Sequence, residues 1–176
     1  MKASQKILRS LLNYLKESGI QFSRVSSDKM NDRAVAEFSF DLQNPPCILC
    51  GPFQDKTKEI ISIAHEAGHV MIYRKMNREQ VRAYLCAMFA AHGIGLAGIS
   101  PAGQKFILLV EAEASAKGSA ILKEVGVTHE DLVTVKKLMA RWYATYERLC
   151  RKDVVIKMRE KNLNNEDTAF VVSPST

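Results

Sequence analysis

The chain has 176 residues, 47% hydrophobic and 25% charged, with a formal net charge of +6. Such values suit one globular domain with a sizeable core and exclude a disordered or low-complexity protein. Lys and Arg are scattered rather than clustered, which argues against nucleic-acid binding as the main function.

The N-terminal stretch "MKASQKILRSLLNYLKESG" places Ile7, Leu8, Leu11, Leu12 and Leu15 at helical spacing, so an amphipathic helix ends near Gly19. It lacks the continuous apolar run of a signal peptide. A β region follows, in "IQFSRVS", "AVAEFSFDL" and "CILC" (Cys47, Ile48, Leu49, Cys50). Pro45 and Pro46 suggest that this last strand lies at a sheet edge, since proline is kept out of central strands. Cys47 and Cys50 form a lone C-x-x-C. Residues three apart on a strand point to opposite faces, so a joint metal or disulfide role is not expected. All four cysteines, with Cys86 and Cys150, read as reduced thiols.

Beyond Gly51 the period changes. Asp55 can cap a helix running to about Met76, and Asn77 with Gln80 signals a capping box for the next. The most apolar stretch, 84–99, is shorter than the about 20 residues that span a bilayer. It reads as a buried helix entering the glycine-rich loop "GIGLAGISPAG". A cytoplasmic protein without a membrane span is therefore expected. Pro101 suits the first turn of a third helix, which runs to Gly126. Thr128 with Asp131 starts a fourth, striped by Leu132, Val135, Met139, Trp142, Tyr146 and Leu149. The expected organisation is one domain over residues 1–152 and a loosely held polar tail over 153–176.

One motif stands out in this frame. In "IAHEAGHV", residues 63–70, His65 and His69 differ by only about 40° around a helix axis, so both imidazoles face one point. Glu66 reaches the side of that point. H-E-x-x-H is the pattern in which two histidines bind zinc and the glutamate is the general base. At this composition a chance match is below about one in a hundred. Ala64, Ala67 and Gly68 are small enough to admit a close neighbour.

A catalytic zinc needs a third protein ligand. Lys75 stands where the longer H-E-x-x-H-x-x-G-x-x-H pattern requires histidine, so that variant is excluded. His92 and His129 have nothing nearby to recommend them. In "LLVEAEASAKGSAIL", Glu111 shares an apolar and small face with Ile107, Leu108, Ala114, Ser115, Gly118, Ile121 and Leu122. An ionised carboxylate there is costly without a partner. Glu113 shares its face with Lys117 and Glu124 and reads as a solvated ion pair. Glu111 is the expected third ligand, with Glu113 as the fallback.

"HEAGH" followed on a later helix by "EAEAS" resembles the gluzincin metallopeptidases, and among them the bacterial neutral zinc metallopeptidases. The match covers mainly residues 55–146. It implies that Glu111 binds zinc and that Ser115 supports a zinc-binding histidine. It also implies that an edge strand, here Cys47–Cys50, aligns the peptide substrate. That family is usually membrane-associated, whereas this chain offers no span, so a soluble minimal gluzincin is expected.

The expected fold is α+β and zincin-like: an N-terminal helix, a small sheet with an edge strand before the zinc helix, then a helical C-terminal part. The expected function is a zinc endopeptidase, with one Zn2+ per chain and a peptide or protein substrate. His65, His69 and Glu111 hold the metal and Glu66 is the base. Tyr143, Tyr146, His92 and Arg141 are open candidates for the oxyanion donor. The alternative is a zincin-fold regulatory protein that binds zinc with little or no turnover.

Overall fold

A computed structural model describes residues 2–26, 36–39 and 45–150. It is mostly helical with one small sheet, an α+β arrangement. The elements are α1 (Lys2–Glu17), β1 (Gln21–Arg24), β2 (Ala36–Ser39), β3 (Cys47–Cys50), α2 (Lys56–Tyr73), α3 (Arg78–Ile94), a 3-10 turn (Leu96–Gly98), α4 (Pro101–Glu124) and α5 (His129–Leu149). The expected tail over 153–176 lies outside the described residues. By chain contacts the described residues form two compact units, one drawn from 2–75 and 110–139, the other from 76–109 and 140–150. Helices α4 and α5 each contribute to both.

In the first unit, the amphipathic pattern of α1 buries Leu11 and Leu15 completely. The helix ends where Gly19 takes φ +64°, a left-handed value that glycine adopts at little cost. Ile20 N then donates to Leu15 O at 2.8 Å. Arg74, just past α2, donates to the carbonyls of Ser18 (2.7 Å) and Gly19 (3.2 Å), satisfying acceptors at the end of α1.

The strand order is β1-β3-β2. β3 pairs with β1 in parallel and with β2 antiparallel, so Cys47–Cys50 is the central strand. This corrects the edge position expected from Pro45 and Pro46. The prolines precede the strand, and what Pro46 contributes to the ladder is its carbonyl, which accepts from Gln21 N at 2.8 Å. Proline lacks only the N–H, so nothing is lost. Cys50 is buried and donates weakly to Gly51 O at 3.4 Å. Burial pushes its thiol up to about 11, which keeps it protonated and inert.

Helix α2 packs against α1, β2 and β3. Asp55 caps it, accepting from Thr57 N at 2.8 Å and Lys58 N at 3.4 Å. From Glu59 to Tyr73 every residue except Glu66 and Met71 is buried. Glu59 is completely buried and accepts from Arg24 of β1 and from Lys56 at 2.6 Å. Burial alone would raise its pKa; the hydrogen bonds from Lys56 and Arg24 outweigh that and hold it below the usual range. The Arg24–Glu59 pair ties the first turn of α2 to the sheet, while Lys56 braces Glu59 from within the helix.

A consequence can be checked by urea unfolding of Arg24→Ala. Lys56 still holds Glu59, so the expected loss is about 1–3 kcal/mol at pH 7 rather than the full cost of an unpaired buried charge. Glu59 has a depressed folded pKa, so its contribution is present above the unfolded value of about 4.3. It fades as the pH falls through the folded value. Parent and variant should therefore converge in acid; an equal gap at all pH values would place the loss elsewhere.

In the second unit, Asn77 and Gln80 form the expected capping box, each reciprocal bond 2.9 Å long. Tyr84 of α3 meets Phe106 of α4 edge to face, centroids 6.1 Å apart. Gln104 donates to Leu96 O at 3.0 Å, fastening the 3-10 turn. The α5 stripe is buried at Leu132, Val135 and Met139 in the first unit, while Trp142 and Tyr146 are only half-buried in the second.

Candidate metal centre

His65 and His69 stand one turn apart on α2, and Glu111 approaches from α4. The two helices can meet closely because small residues face each other. Gly68 lies against the Ala114 backbone and Gly118 against the backbone of Ala64 and His65. The pairing of 68 with 114 and of 64 with 118 makes the crossing antiparallel.

All three side chains are buried, at 9% (His65), 6% (His69) and 3% (Glu111) exposure. His65 Nε2 is 3.2 Å from Glu111 Oε2 and 3.2 Å from His69 Nε2, and His69 Nε2 is 3.5 Å from Glu111 Oε1. The donor atoms of this group lie within 4.8 Å of one another, so it could hold a metal ion. Two ring nitrogens and a carboxylate oxygen, converging in a buried pocket, are a suitable donor set. Burial would raise the Glu111 pKa, yet hydrogen bonds to His65 and then His69 bring it down to about 2. The carboxylate is thus ionised and ready to bind a cation.

Support behind the two histidines is unequal. Ser115 Oγ is 3.2 Å from His65 Nδ1, the position implied by the resemblance. Among the described residues, the buried His69 Nδ1 meets no hydrogen-bond partner. Ligating histidines ordinarily donate their second N–H to an acceptor, so the donors fit a metal while support is complete for one imidazole.

The fallback Glu113 points to the surface, its side chain 55% exposed and 3.5 Å from Lys117, as its face predicts. Glu66 is half-buried on an otherwise buried stretch of α2. Among the open oxyanion candidates, Tyr143 and Tyr146 are half-buried and Arg141 exposed, all in the second unit. The side chain of His92 lies outside the described residues, and His129 is exposed at the start of α5. Sequence reasoning missed the buried Glu59. Its only signal was a glutamate three residues after Lys56, beside Ile60 and Ile61.

No family model, curated protein or solved structure matches the chain. Among the described residues, no helix is long and apolar enough to cross a membrane.

Proposed function

We propose that the chain is a zinc-dependent endopeptidase of the gluzincin type, on a zincin-like fold. The observation that carries this reading is the buried convergence of His65, His69 and Glu111 from two helices distant in sequence. Four-coordinate zinc with donors at 2.0–2.1 Å needs donor separations of about 3.3 Å. The 3.2 Å between His65 Nε2 and His69 Nε2 agrees with that spacing, and each imidazole lies beside a different oxygen of Glu111. Two histidines and a carboxylate also serve ferrous iron. Glu66, an additional carboxylate beside the ligands, favours hydrolysis.

Zinc bound there would acidify water and polarise a scissile carbonyl. Glu66 takes the proton from the attacking water and delivers it to the leaving amine. Its half-exposed position suits a group that must meet both water and substrate. With an ion bound, Ser115 Oγ, 3.2 Å from His65 Nδ1, would accept the Nδ1–H and so aim the Nε2 lone pair inward. With Cys47–Cys50 enclosed by its neighbours, an extended peptide would have to add at β1 or β2. β2 packs on the helix that carries the histidines, which favours it.

The test pairs metal analysis of protein purified without added zinc with a peptide-library digest, run with and without chelator. About one zinc per chain and chelator-sensitive cleavage are expected. Full zinc with no cleavage would favour a zincin-fold regulatory protein, and no metal would remove both readings.

A further inference from the structure

We propose that Gly68 and Gly118 are positioning residues that set the size of ion the centre accepts; this rests on the metal-centre reading above. The two glycines face opposite helices across one crossing. A Cβ at Gly118 would lie 2.7 Å from Ala64 O and 3.1 Å from His65 Cα. A Cβ at Gly68 would meet the Ala114 backbone, with its carbonyl carbon at 2.9 Å. In both cases the obstacle is backbone, which cannot rotate aside as a side chain would. A methyl at either position therefore forces the backbones apart, and further at Gly68, whose Cβ would lie 2.2 Å from Ala114 O, than at Gly118.

That gap is also the one the donor set spans. His65 and His69 belong to α2, so their 3.2 Å separation is fixed within one helix. The contacts of Glu111 with His65 (3.2 Å) and His69 (3.5 Å) cross from α4 to α2. So does the bond from Ser115 to His65. Ala114 and Ser115 follow Glu111 within about one helical turn, and Gly118 completes the next, so α4 carries its donor rigidly with the contact points. Widening the crossing stretches two donor separations and leaves the third unchanged. The pocket then suits a larger ion, and zinc loses more than an ion of the same charge and greater radius.

Zinc and cadmium, both d10 divalent ions, are the probes, with affinities measured by competition against a chromophoric chelator. Gly118→Ala should shift the zinc-to-cadmium affinity ratio towards cadmium by about tenfold or more, the scale on which outer contacts tune metal sites. Gly103→Ala is the control on the same helix. Its Cβ would meet only the Ile99 and Ser100 side chains, at 3.4 Å, so the ratio should stay at the parent value. Glu111→Asp shortens the α4 donor by one methylene without touching the crossing, and it should move the ratio in the same direction. A folded Gly118→Ala with the parent's ratio overturns the inference. If that variant does not fold, Glu111→Asp decides, and an unchanged ratio again overturns it. A parent that binds neither ion removes the metal centre, and this inference with it.

Discussion

Glu66→Gln is expected to keep its metal and its fold while losing about 10²–10⁴ of the peptide-hydrolysis rate. The amide has the carboxylate's shape but cannot take the proton from water, and a positioned general base contributes on that scale. Glu66 stands beside the buried ligands without belonging to the converging donor group, so metal content should not change. His65→Ala is the counterpart, removing a donor and hence both metal and turnover. Metal analysis and initial rates on the two variants distinguish lost chemistry from lost metal. Cleavage by Glu66→Gln at the parent's rate would assign the activity to a contaminant or to another site.

Glu111→Ala is expected to strip the metal and lower the melting temperature strongly, because the binding energy of a structural or catalytic ion is also folding energy. Glu113→Ala, two residues along the same helix, should cost under ~1 kcal/mol, since it removes one exposed pair with Lys117. The contrast is informative because both substitutions delete a carboxylate from α4 and improve helix propensity alike. Metal retained by Glu111→Ala and lost by Glu113→Ala would reverse the assignment of the two faces.

Local chemistry was the legible part of the fold. Asp55, the Asn77–Gln80 box and the Thr128–Asp131 pair act within one helical turn, and each bonds as its spacing predicts. The third member of the buried cluster was legible for a similar reason, because helical periodicity separates the buried face of Glu111 from the solvated face of Glu113. Strand order was not. Whether β3 is flanked on one side or two depends on where β1 and β2 travel, and Pro45 and Pro46 constrain only their own N–H positions. Glu59 was hidden because an acidic residue in a helix's first turn is ordinary there, favoured by the dipole. That it is buried follows from the packing of α2 on the sheet, which also brings Arg24 from a strand 35 residues earlier. The α5 stripe was read as uniform, but burial weakens beyond Met139, where the helix passes into the second unit.

The bare Nδ1 of His69 gives its imidazole a preferred tautomer. With the proton on Nε2, the ring donates inward to the Glu111 carboxylate, and Nδ1 is left as an acceptor. With the proton on Nδ1, a buried N–H finds no acceptor among the described residues, at a cost of about 1–3 kcal/mol. Ligation through Nε2 requires that second form. His65 Nε2–H likewise donates to the Glu111 carboxylate, but when an ion takes Nε2, Ser115 can accept the proton at His65 Nδ1. Metal capture therefore relocates a proton on both imidazoles, and among the described residues only His65 has an acceptor waiting for it. Nitrogen-15 NMR of the metal-free protein should find both imidazoles in the Nε2–H form, each donating towards Glu111, and both should change tautomer as the ion enters.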